Sequence, residues 1–383
     1  MAGLNYSKDR VNEAKDIWAR YYRGEKVERC PFIFTVGQKP SDDGKRHSWV
    51  GPGNPYDFRE MCESPEKAAD GFIASFQYQF NTFPDCDFIP YMSPHYLGQG
   101  ILASMYGAKQ YIDRDQPPFT EDRLYKDITE TAERLNNNFN VEDTEWGKIL
   151  KKHIEVFIDK TNGEIPVCVP DYQSPYGTLT KLLPNEELMI AMYDEPELVH
   201  KAMEIVTDGI IKLVDTAAEW VGKDLYITNS FNPIPQEGGL VMWDDYVSVI
   251  SPDMHKEFCV PYNNILYEKY GRGHLHTCGP YFPRFIEAIL DCKPCSLQTT
   301  IMRGMSKTRA DLLRFLELTG KKGIKLIGDL NTNDSSIFEK NKWEKADDEM
   351  LELFLNNGFI PQIGGTLREG VEFSAKLKKL WRN

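Results

Sequence analysis

His274-Leu275-His276-Thr277-Cys278-Gly279-Pro280 alternates ligand-type and other side chains, and reading it as a strand decides how the rest of the chain is read. An extended backbone sends residues i, i+2 and i+4 to one face, so His274, His276 and Cys278 are expected to look the same way. An imidazole and a thiolate two residues apart at a strand end suit one borderline cation. Zinc is the usual ion for mixed nitrogen and sulfur ligands. Two ligands do not make a site, so the remainder must come from elsewhere in the fold.

Seven more short apolar runs accompany this one: Pro31–Val36, Asp87–Met92, Ile165–Val169, Leu225–Thr228, Ser296–Thr299, Ile324–Gly328 and Phe359–Ile363. Helical patterns lie between them, at Pro196–Val221, Ser251–Tyr270, Pro283–Leu290, Thr308–Thr319 and Glu344–Asn357. Ser64-Pro65 supplies a capping serine and a first-turn proline, and Val11–Tyr22 forms an amphipathic N-terminal helix before Gly24. Strands alternating with helices eight times predict an α/β fold, a (β/α)8 TIM barrel whose active site lies at the carboxyl ends of the strands. A doubly wound sheet is the alternative, but no Gly-rich dinucleotide turn follows the first run. The chain is expected to be one domain over residues 1–383. Its helical insertion, roughly residues 93–164 between the second and third strands, carries helices near Glu121–Asn138 and Glu145–Thr161 and is expected to form a lid.

The 383 residues are 41% hydrophobic and 27% charged, an ordinary globular composition, and the net charge of -13 argues against non-specific binding to nucleic acid or anionic membranes. No apolar run reaches the ~20 residues of a membrane span and no signal-peptide pattern opens the chain, so the expected location is cytoplasmic. The eight cysteines are scattered, which favours reduced thiols over a disulfide framework, and Cys292-x-x-Cys295 lacks the second pair of a zinc knuckle.

Just past the runs stand Gln38 and Lys39; Met92, Ser93 and His95; Asp171, Gln173 and Ser174; Asn229 and Asn232; His276 and Cys278; Gln298 and Thr300; Asp329 and Asn331; Gln362 and Gly364. Polar groups crowding the ends of buried strands point to a mouth filled by water or ligand. Others of the same types cap helices and satisfy loops.

These strand ends, with several motifs, resemble the uroporphyrinogen decarboxylase superfamily, which holds haem-pathway decarboxylases and zinc methyltransferases of corrinoid-dependent methyl transfer. Arg23–Pro31 is similar to the "GE-x-x-R-x-P" approach to the first strand, and Gln173–Thr178 to the turn after the third. Gly328-Asp329-Leu330-Asn331 is similar to "GN-x-D" with its polar residues exchanged, and His276-Thr277-Cys278-Gly279 to the methyltransferase "H-x-C-G" ligand motif. The methyltransferases take a further cysteine ligand from the eighth strand. Here that turn reads Gln362-Ile363-Gly364-Gly365-Thr366. The arginine-rich turn with which the decarboxylases hold substrate carboxylates is also missing after the first run.

The resemblance implies a zinc-dependent methyltransferase moving methyl between a small methylated substrate, such as a methyl ether or methoxyaromatic, and a corrinoid protein or thiol acceptor. His276 and Cys278 are its expected zinc ligands, completed by Glu237, Asp329 or His274, with Glu237 favoured. Asp329, Asn331 and Asp171 are the catalytic candidates. Substrate contacts are expected from Gln173, Tyr176, Asn229, Gln298, Gln362 and Tyr91, with Tyr96 and Tyr172 as further aromatic candidates. Cob(I)alamin would be carried by the partner protein, and a homodimer is compatible with the sequence. Two alternatives stand beside this reading. One is a metal-free decarboxylase or lyase using Asp85, Asp87 or Asp171; the other is a barrel that binds ligand without turnover.

Overall fold

The computed structural model describes residues 4–29, 31–36, 51, 53–84, 86–222, 225–227, 239–277, 286–299, 309–331, 352–353, 355–365, 375, 377 and 379–380. The fold is α/β, with a parallel sheet and many helices. Its strands are β1 (Ile33–Val36), β2 (Gln110–Tyr111), β3 (Phe119–Thr120), β4 (Val167–Cys168), β5 (Tyr226–Ile227), β6 (Met242–Trp243), β7 (His274–Thr277), β8 (Ser296–Thr299), β9 (Lys325–Asn331) and β10 (Phe359–Gly365).

Six of them form one sheet in the order β1-β10-β9-β8-β7-β6, every pair parallel. The first and last strands are therefore neighbours, with Ile33 opposite Gln362. A second parallel ladder pairs β4 with β5, and a single bridge joins Met92 to Val167. The Asp87–Met92 run thus contributes one bridge among the described residues rather than a ladder. Pro90 in its middle has no N–H to give. The sheet neighbour of β7 is β6, a strand outside the eight runs, where the alternation count places Leu225–Thr228. A bridge from Gln173 to Trp243 ties β6 to the segment after β4.

The helix Lys8–Tyr22 begins where Ser7 accepts from the Arg10 N–H and buries Val11, Ala14, Ile17, Trp18 and Tyr21, one stripe at helical spacing. Trp18 Nε1 donates to the Asp87 carbonyl at 2.8 Å, fixing that helix to the second run. The Asp87 carboxylate is buried and taken by both arms of the Arg29 guanidinium and by the Phe32 N–H.

Within the insertion, β2 and β3 form an antiparallel pair, and the first predicted helix shrinks to Ile128–Arg134 because Asp127 caps it through the Glu130 N–H. The second runs from Glu145 to Thr161 and ends on Asn162, whose left-handed φ of 49° closes the last turn. Leu150, Ile154 and Phe157 are fully buried there, with Phe157 edge-on to Phe72 at 5.6 Å. This helix is part of the main core.

The predicted helix Ser251–Tyr270 is two helices, Pro252–Phe258 and Val260–Tyr270. Pro261 has no N–H for the carbonyl four residues back, which loosens the junction at Cys259. His255, Cys259 and Asn263, four residues apart, still share one inward face, and all three are buried.

Candidate functional site

The registers Trp243–His276 and His276–Gln298, with the bridge Gln173–Trp243, lay Gln173, Trp243, His276 and Gln298 in one row across the strands. Adjacent strands lie about 4.8 Å apart, so side chains in register on one face meet. His276 Nδ1 donates to Gln298 Oε1 at 3.0 Å. His274, two residues earlier and in register with Ser296, bonds the Ser296 hydroxyl at 3.0 Å one layer deeper. Burial, with His276 adding and Gln298 opposing, pushes His274 down to about 3, so it stays neutral. The two histidines share a face as the alternation predicts, but only His276 keeps appreciable exposure, 13% of its side chain.

The segment leaving β6 brings two aspartates to this row, and neither was anticipated. The Asp244 N–H donates to the His276 carbonyl at 2.9 Å, and its carboxylate turns inward. It accepts from Ser174 Oγ at 3.0 Å, His255 Nε2 at 3.0 Å and Asn263 Nδ2 at 3.0 Å. Asp245 turns the other way, its Oδ1 lying 3.5 Å from His276 Nε2 with 17% of the side chain exposed.

Asp244, His255 and Cys259 bring their ligand-type atoms within 4.8 Å of one another. This cluster reads as a hydrogen-bonded network, because both Asp244 oxygens already hold donors. Burial, reinforced by Asp244 and Cys292, raises the Cys259 thiol well above its usual range and keeps it protonated.

Beside the row, Asp171 and Gln173 are buried, and Asp171 Oδ1 and both Gln173 amide atoms have no hydrogen-bond partner among the described residues. Each such group costs about 1–3 kcal/mol unless a ligand or water meets it. Burial, with the Asp245 charge adding and Lys181 and the neighbouring Gln173 amide opposing, raises the Asp171 carboxyl to about 8; the Gln173 contact is too poorly aligned to count as a full hydrogen bond. It is therefore an uncharged acid at neutral pH. Lys181 also lies 5.3 Å from the Tyr246 ring centroid. Burial raises the Tyr246 phenol, but Lys181, Thr180 and Asn185 together bring it below its ordinary value.

The structure thus assembles Asp171, Gln173, His276 and Gln298 from the expected site and adds Asp245. Tyr91 is half-buried near the end of the second run, whereas Tyr176 is 1% exposed within the core and Tyr172 gives its hydroxyl to the Val241 carbonyl. Tyr96 is likewise buried, its hydroxyl bonded to His153. Asp329 stands opposite Gln362, and Asn331 opposite Gly364, in the β9–β10 ladder. Cys278, Glu237, Asn229 and Asp85 lie outside the described residues. Asp87, a candidate of the decarboxylase reading, is closed off by Arg29. Asp245 follows Leu240-Val241-Met242-Trp243, an apolar run too short to stand out as a strand in the sequence.

The sequence matches the uroporphyrinogen decarboxylase (URO-D) family over residues 13–360. The chain belongs to this family. Among solved structures, a methyltransferase from Methanosarcina mazei superposes with a TM-score of 0.66 at 14% identity, covering 96% of this chain and 99% of that one. At that identity the likeness carries the fold. No curated protein matches the chain. No helix among the described residues is long and apolar enough to cross a membrane.

Proposed function

We propose that this URO-D family member is a zinc-dependent methyltransferase, moving a methyl group between a small methylated substrate, such as a methyl ether or methoxyaromatic, and a corrinoid protein or thiol acceptor. The observation that carries it is the setting of His276. Its Nδ1 hydrogen is committed to Gln298, which directs Nε2 to Asp245, as the outer partner of a metal-binding histidine does. The donor chemistry fits zinc, with nitrogen from His276, sulfur from Cys278 in the His-x-Cys motif, and oxygen from a nearby carboxylate. Family membership and the fold shared with a methyltransferase support the reading.

When bound, zinc would supply Lewis-acid stabilisation of the oxygen that loses its methyl group. The chain's own residues do the rest. Asp171, whose burial favours its protonated form, holds a proton for that oxygen beside the Gln173 amide. The methyl carbon passes to the corrinoid of a partner protein or to a thiol. We also propose that the described ladders belong to one closed (β/α)8 barrel over residues 1–383.

The test is metal content of protein purified without chelator, with methyl transfer from a methoxyaromatic to free cob(I)alamin followed by absorbance. About one zinc per chain, lost in His276→Ala together with transfer, is the expected result. Protein that takes up no stoichiometric metal from added zinc would sink the reading.

A further inference from the structure

Gln298 Oε1 has no hydrogen to give, so its 3.0 Å bond places the ring hydrogen of His276 on Nδ1. The atom that Nε2 faces is a carboxylate oxygen, Asp245 Oδ1 at 3.5 Å. A cation between the two, either a proton on Nε2 or a metal ion, joins a ring nitrogen to a carboxylate in that position. The separation is long for an N–H···O bond, whose usual distance is about 2.9–3.0 Å. It is the spacing of two ligands held about 2.0–2.2 Å from one tetrahedral zinc ion, which stand about 3.3–3.5 Å apart.

The local chain explains why Asp245 faces this way. Asp244 is drawn inward by Ser174, His255 and Asn263, and its N–H is held by the His276 carbonyl. The next side chain is thereby turned to the mouth, tied to the same strand that carries His276. The eighth-strand turn Gln362-Ile363-Gly364-Gly365-Thr366 offers neither cysteine nor histidine.

We propose that Asp245 is the carboxylate ligand that completes a zinc centre with His276, in place of a thiolate from the eighth strand. The inference rests on the metal-dependent reading above and names the carboxylate that would favour its oxygen-bound substrate. Exchanging a thiolate for a carboxylate makes the centre harder, which favours an oxygen-bound methyl group over a sulfur-bound one.

The experiment uses the full chain. Zinc affinity is measured by competition with a chromophoric chelator for the wild type, His276→Ala, Asp245→Ala, Asp245→Asn, Asp245→Cys and Glu237→Ala, and each is then loaded with cobalt for its absorption spectrum. Expected are about one zinc per wild-type chain and a loss beyond about 100-fold in Asp245→Ala, more than an outer-shell partner produces. Asp245→Cys is expected to recover affinity and to add thiolate-to-cobalt charge-transfer absorption, a signature that a merely structural role does not give. Asp245→Asn keeps the side-chain shape, so a fold defect limited to the alanine variant is recognised. Wild-type affinity in both Asp245→Ala and Asp245→Asn overturns the proposal, as does loss of zinc in Glu237→Ala with retention in Asp245→Ala. In those cases the metal-dependent reading survives; a wild type that binds no zinc removes both.

Discussion

Asp244 and Asp245 each meet a histidine, and the two pairs differ in what their geometry leaves undone. Asp244 lies 3.0 Å from His255 Nε2 with both side chains fully buried, and two more donors occupy its remaining lone pairs. Asp245 lies 3.5 Å from His276 Nε2, both side chains reach the surface, and the row beside it includes the unpartnered atoms of Gln173. The first pair clamps the segment after β6 to the helices behind it. The second, longer and partly exposed, is the one proposed to take a cation. Polar character is shared by both, so the distance and the exposure separate the two.

The largest effect expected from this contrast is on stability. Asp244→Ala leaves the donors of Ser174, His255 and Asn263 buried without an acceptor and is expected to cost about 3–5 kcal/mol in urea unfolding. Asp245→Ala is expected to stay within about 1 kcal/mol of the wild type in the same assay without metal. Equal losses would erase the distinction. Gln298→Ala, which frees the His276 Nδ1 hydrogen, should weaken zinc about 10–100-fold, and Gln298→Glu, which keeps an acceptor there, should not.

Asp171 sharpens the comparison through pH. Its carboxyl is raised to about 8 by burial and the Asp245 charge, whereas an unfolded chain releases the same proton near pH ~3.9. Between those values the folded form holds the extra proton, so its contribution to stability is full below the lower value and lost as pH rises through about 8. Asp171→Asn should flatten that decline, leaving the variant on the order of 1–2 kcal/mol more stable than the wild type at pH ~9, since water entry softens the full penalty. A wild-type curve parallel to the variant's would show that Asp171 is not buried beside another negative group. The smallest effect belongs to the exposed pair Lys8–Glu164 at 3.0 Å, where Lys8→Ala should leave the urea unfolding midpoint unchanged, because solvent and salt screen an exposed ion pair.

How far the sequence discloses this arrangement depends on the element. The helix Pro196–Val221 is legible to the residue, because a first-turn proline and Gly222 mark its ends and buried residues recur at helical spacing between them. β7 is legible from its alternation, and so is the shared face of His274 and His276. β6 is not, since two paired residues are too few to stand out and their partners lie elsewhere in the chain. The same shortness hid Asp245. Opposite orientations of consecutive aspartates are settled by Ser174, His255 and Asn263, three contacts from distant segments that no local pattern encodes. The helix break at Cys259 was readable from Pro261, two residues on.

The pairing of β1 with β10 also has a consequence in time. Ile33 reaches its partner Gln362 only when nearly the whole chain has been made. At ribosomal rates of about 5–20 residues per second, that leaves the first strand's edge open for roughly 15–65 seconds. An open edge of that kind is a template for pairing with another nascent chain. The N-terminal helix, pinned by Trp18 and packed against Ile33 and Ile89, and the Arg29 fork on Asp87 use only early-made residues. They can fold over one side of the waiting strand during synthesis, and weakening them should show first as aggregation of newly made protein, before any change in the finished fold.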